Sequence, residues 1–246
     1  MPNDRGSLRV NSPIFGLRIA GERAQTGRQL HSTIPIAIFP QTVAHVITSD
    51  TQEARRRRGV VGIVHRPLVR GAQVDDLVPL LAQLDNEELD IPAYRRQLDD
   101  MAKDITAQLA AMPDEETKLR ALKKFLFEEN GFHGSRGDYN NRANSYINEV
   151  LDDREGIPIT LSVVFLELAR RIGLDTVTGA PVPGHFMVLH RPKMGDRQLL
   201  DVFDGGTTLA PKREAELRIT DEDLQPATKR SIITRMLRNL LNAARE

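Results

Sequence analysis

Between residues 91 and 112 the apolar side chains Ile91, Tyr94, Leu98, Met101, Ile105 and Leu109 recur every three or four positions. That spacing predicts a helix with one buried stripe running from Ile91 to Met112. A similar pattern over Val74 to Leu84 predicts a helix before it, and Pro113-Asp114 opens a third, whose buried face is Leu119, Leu122, Phe125 and Leu126 and which Asn130-Gly131 ends. The polar stretch His133 to Ala143, with glycines at 134 and 137, predicts a loop, and a short helix follows from Asn144 to Leu151. From Pro158 to Ile172 apolar residues run nearly all round the helix, between Pro158 in the first turn and Gly173 just past the end. Such a helix belongs at the centre of a domain.

The period then changes to two. Thr176 to Gly179, Gly184 to His190 and Gln198 to Phe203 predict strands, with Pro192-Lys193-Met194-Gly195 as a turn between the last two. Thr220 to Glu246 turns helical again, with Ile232, Met236, Leu237, Leu240 and Leu241 on one stripe over Ser231 to Ala244. Helices followed by antiparallel strands predict an α+β domain with a central buried helix on an antiparallel sheet. The expected division is a basic extension over 1–70, a helical subdomain over 71–132, the core over 133–210 and C-terminal helices over 211–246.

Composition narrows the class. At 40% apolar and 28% charged, with no long apolar run, the chain is that of a globular protein and not a membrane protein. Lys plus Arg and Asp plus Glu are 34 each, but residues 1–70 hold eleven Arg, no Lys and four acidic residues. The first seventy residues are expected to be a poorly ordered extension, either a leader segment or a mis-assigned start. The Arg55 to Arg58 run has no interleaved aromatics, so it is expected to be a solvated tract rather than a nucleic-acid site. Cysteine is absent, which excludes disulfides, thiolate metal sites and thiol catalysis. With no secretory pattern at the N-terminus, the expected setting is the cytoplasm.

Candidate chemistry gathers on the strands. If the turn is 191–195, His185 lies directly opposite Asp201 on one face of the sheet. An acid beside an imidazole is the orienting half of a catalytic triad. If the arrangement is papain-like, a nucleophile would stand at the start of the central helix, where the helix dipole favours a thiolate; the hydroxyls there are Thr160 and Ser162. The plain structural alternative is that Thr160 caps or back-bonds in the first turn, that Ser162 packs in the helix, and that His185 is a core histidine tied to Asp201. A metal site drawn from His133, Glu149, His185, His190 and Asp201 is disfavoured, because His185 and His190, five apart on one strand, point to opposite faces. No metal or cofactor is expected.

The segments Phe127–Gly134, Asn144–Leu151, Arg154–Ser162, Leu168–Leu174, Pro183–Phe186 and Asp201–Gly206, in this order, resemble the SirB-type transglutaminase-like family. The resemblance runs from about Val74 to Leu241. It implies a transglutaminase-like (papain-like) core whose active members use Cys, His and Asp. Aligning Arg170 and Gly173 with the family's nucleophile helix puts the cysteine position at Pro158 and the other two members at His185 and Asp201. SirB-type members commonly lack that cysteine, bacterial ones are labelled regulators of invasion-gene expression, and a related domain occurs in animal F-box proteins. The resemblance thus implies a pseudoenzyme, a regulatory module that binds a protein or peptide; the alternative is a hydrolase or acyl-transfer enzyme using Thr160 or Ser162 with His185 and Asp201. Two departures are Asp201-Val202-Phe203 where the family has Asp-Pro-Phe, and an end at Glu246 where the family continues into a helical tail.

Overall fold

In the computed structural model of the chain, residues 81–83 and 86–244 are described. The expected basic extension and most of the Val74 to Leu84 helix lie outside the described residues.

Helix α1, Ile91–Ala107, begins where the Asp90 side chain accepts a hydrogen bond from the Ala93 amide, and it buries Leu98, Ala102 and Ile105. It ends five residues short of the expected Met112. Met112 is 94% exposed, so the last turn of the sequence pattern has no core to face, and Pro113 disfavours helical geometry in the residue before it. Helix α2, Glu115–Lys123, is capped by Asp114, which accepts from the Thr117 amide at 2.7 Å. It widens into a π-helical turn over Lys124–Glu129, which sets Phe125 and Leu126 in the core and lays Phe127 parallel to Phe165.

The stretch expected to be all loop is partly ordered. Strand β1, His133–Gly134, runs parallel to β2, Glu155–Gly156, and a 3-10 turn over Arg142–Ser145 leads into α3, Ile147–Asp153. Helix α4, Pro158–Arg171, is buried without a break from Pro158 to Phe165. Its buried Glu167 is matched by Arg171 at 2.7 Å and Arg170 at 3.1 Å.

Four antiparallel strands follow in the order β3 Val177–Ala180, β4 Met187–His190, β5 Gln198–Asp201 and β6 Thr207–Thr208. Val188 and Leu200 turn to the α4 side, while Ala180, Met187, Leu189 and Leu199 face a second cluster closed by Leu209, Ile219 and Leu224. Helix α5, Pro211–Glu216, is short and buries nothing. Helix α6, Lys229–Ala243, starts at a Thr228 cap and returns Ile232, Ile233 and Met236 to the main core. This is the expected α+β arrangement, with α4 at its centre. Among the described residues no helix is long and apolar enough to cross a membrane.

The β4–β5 register corrects the sequence expectation. Val188 pairs with Leu200 and His190 with Gln198, so the connecting turn is 191–197 and the ladder is shifted by two residues. His185 precedes β4 and is not opposite Asp201. Strand parity therefore does not place His185; it meets Asp201 from the turn before β4.

Candidate functional site

His185 is held in a tight turn, its amide donating to the Val182 carbonyl at 3.1 Å, with Gly184 in the left-handed region at φ 72°. The turn brings His185 Nε2 to 2.9 Å from Asp201 Oδ1. Asp201 ends β5 and caps the following 3-10 turn, Val202–Asp204, accepting from the Phe203 amide at 3.0 Å with the same oxygen. Burial pushes the Asp201 carboxyl up, but hydrogen bonding and attraction from His185, with the amides of Phe203 and Asp204, outweigh it and hold the group below its ordinary value. An ionised carboxylate only accepts, so Nε2 carries a proton and Nδ1 is the nitrogen left for a ligand.

An open cleft of about 450 Å³ adjoins this pair, lined by Ser135, Arg136, Tyr139, Pro158, Gly184, His185 and Phe203. A neighbouring cleft of about 440 Å³ is lined by Phe127, Phe132, His133, Glu155 and Asp204 and shares Arg136 and Phe203. Phe203 is the hinge of the wall: its ring meets Tyr139 edge-on at 6.0 Å and His185 at 6.3 Å. The Arg136 guanidinium lies 5.4 Å from the Phe203 ring centre and binds Asp204 at 2.7 Å.

Pro158, the first residue of α4, lines the same cleft as His185. It offers neither a reactive side chain nor an N–H. The hydroxyls behind it are buried and do not line the cleft. Thr160 is 0% exposed, and its Oγ1 has no hydrogen-bond partner among the described residues. Ser162 donates to the Pro158 carbonyl at 2.7 Å. The two have exchanged their expected roles, since Ser162 back-bonds and Thr160 packs.

Sequence reasoning missed Ser135, Arg136, Tyr139 and Phe203. Ser135 is 1% exposed, and its hydroxyl also lacks a partner among the described residues. The one signal within reach was Gly134, where an added Cβ would collide with the Phe203 ring. Among the described residues no group of three His, Cys, Asp or Glu could hold a metal ion. His190 is fully buried away from the cleft, and Glu149 accepts from Asn148. Arg55 to Arg58 lie outside the described residues.

A family model described as the transglutaminase-like superfamily matches residues 92–238. A UPF0162 protein of Xylella fastidiosa strain Temecula1 is 30% identical over 173 residues, 65% of this chain and 61% of the relative. Protein SirB1 of Salmonella typhimurium is 27% identical over 156 residues, 59% of this chain and 56% of its own length. Human F-box only protein 21 is 36% identical over 86 residues, 35% of this chain and 13% of that protein. The chain therefore spans less than two thirds of the length of each. No solved structure matches.

Proposed function

The chain belongs to the transglutaminase-like superfamily, in its SirB-type branch, and from that premise we propose that it is a non-catalytic regulatory module that binds a peptide segment of a protein partner in the His185 cleft. The observation that carries this is the company His185 keeps: Asp201 at 2.9 Å, an open cleft, and Pro158 at the head of α4. A cleft with an oriented imidazole and aromatic walls has the chemistry to grip a peptide. Without a nucleophile it lacks the group that would form an acyl intermediate. Thr160 is enclosed, and Ser162 spends its proton on a main-chain carbonyl, so both oppose the hydroxyl-enzyme alternative. A cytoplasmic setting is part of the proposal and is checked by cell fractionation.

Two measurements test it together. Incubation with a fluorescent primary amine plus a glutamine-rich acceptor protein, and with an activated ester, is expected to give no turnover above buffer. Peptides selected on the wild-type chain from a random display library are expected to shift the His185 ring resonances on titration. Turnover that disappears in His185→Ala would overturn the proposal in favour of an enzyme, and selected peptides that leave His185 unmoved would show that the cleft is not the binding site.

A further inference from the structure

Resting on that peptide-binding reading, we propose that the segment taken by the cleft is acidic and that Arg235 receives its carboxylate. Helix α6 carries Lys229, Arg230, Arg235 and Arg238 and no acidic residue between 229 and 243. Residues 71–246 otherwise carry an acidic excess, since eleven of the basic and four of the acidic residues fall in 1–70. A cationic helix here runs against the charge of its own body. Its apolar face is fixed by Ile232, Ile233 and Met236 in the core, so the helix cannot rotate its arginines away.

That orientation lays the Arg235 guanidinium 5.8 Å from the centre of the Phe186 ring, the residue following His185. Arg235 is half-buried and has no carboxylate partner among the described residues. Asp201 is already engaged by His185 and Asp204 by Arg136, while Glu155 lines the neighbouring cleft. A partly desolvated cation without an anion leaves interaction energy for a ligand to collect. Ser135 is consistent with this: a residue of the cleft wall, it buries a hydroxyl with no partner among the described residues, which is costly, and a main chain bound against that wall would offer one. The aromatic rings favour a peptide over nucleic acid. Phe203 and Tyr139 stand edge to face, and Arg136 lies over the Phe203 ring, so the two rings do not form a parallel platform for successive bases.

The test is a random peptide display library panned on the immobilised full chain and on its Arg235→Gln, Arg235→Lys and Ser135→Ala variants, with circular dichroism melts to confirm folding. Peptides selected by wild type and Arg235→Lys are expected to carry Asp and Glu about threefold more often than the starting library, and those selected by Arg235→Gln to lose that excess. A synthetic consensus peptide is expected to bind Arg235→Gln about tenfold more weakly by fluorescence anisotropy. Its glutamine-for-glutamate version should be indifferent to that substitution, and Ser135→Ala should weaken both versions alike. Selected peptides without acid enrichment, or equal binding to wild type and Arg235→Gln, would overturn the inference while leaving peptide binding intact. Displacement of the acidic peptide by a tighter, Arg235-dependent single-stranded oligonucleotide would overturn it in favour of nucleic acid. If wild type selects no peptide at all, the peptide-binding reading falls and takes this inference with it.

Discussion

Asp201 Oδ1 holds two partners at once, His185 Nε2 at 2.9 Å and the Phe203 amide at 3.0 Å. The imidazole and the turn carrying Phe203 are thereby fixed to one atom, and the Phe203 ring closes the arrangement by standing edge-on to His185. Asp201→Asn keeps an acceptor but removes the charge, and is expected to cost about 2 kcal/mol at neutral pH by urea denaturation. The folded carboxyl lies below its ordinary 3.8, so the unfolded chain takes up the proton first. Its contribution is therefore present above pH 3.8 and is lost as pH falls through the folded value. Wild-type and Asp201→Asn stabilities should converge in acid; a gap that stays constant there would mean the charge does nothing to hold the pair.

Pro158→Cys tests whether the scaffold around the absent nucleophile is intact. The new thiol would sit at the N-terminus of α4, beside the cleft that His185 also lines, in a chain with no other cysteine. Helix dipole and imidazole both favour the thiolate, so alkylation by iodoacetamide in mildly acidic buffer should run about tenfold faster than for an unstructured cysteine. The single adduct is read by mass spectrometry, and the excess rate should vanish in Pro158→Cys/His185→Ala. A rate equal to that of a free thiol would show that the cleft no longer supports such a group.

How much of this was legible in the sequence follows the range of each signal. Helix α4 announced itself because all-round apolarity between Pro158 and Gly173 is local information. The strands around His185 and Asp201 were equally plain, but their register depends on the turn. That turn runs through Arg197, with Gly195 at φ 99°, and not only to Gly195. His185 lies outside the ladder and meets Asp201 through the turn before β4, which no strand pattern encodes. The cleft wall was a different case. Ser135, Arg136 and Tyr139 are placed by the pairing of His133 with Glu155, and two-residue strands carry no periodicity to detect.

That wall should be sensitive to a single methyl group. At Gly134 an added Cβ would overlap the Phe203 ring, and at Gly137 it would meet nothing within 4 Å. Gly134→Ala is expected to lose about 2 kcal/mol by overpacking. It should also move the His185 ring protons in NMR spectra, because Phe203 must leave its edge-on position. Gly137→Ala should stay within about 0.5 kcal/mol of wild type. Equal effects at the two sites would show that Phe203 is not packed against β1.

His190 predicts an acid-dependent loss of stability that has nothing to do with the cleft. Its side chain is fully buried in β4, and neither ring nitrogen has a partner among the described residues. Burial pushes its pKa below the ordinary 6.5, against the pull of Glu115 and Glu116. The folded state therefore keeps the ring neutral while the unfolded chain protonates it. Stability is complete above pH 6.5, falls as pH drops from there towards the folded value, and levels off below it. His190→Leu removes both the titration and the unpartnered nitrogens in a site of similar volume, and is expected to raise neutral-pH stability by about 1 kcal/mol. Melting temperatures of the two proteins should diverge further as pH is lowered through the histidine range; parallel curves would assign the acid sensitivity to the carboxylates instead.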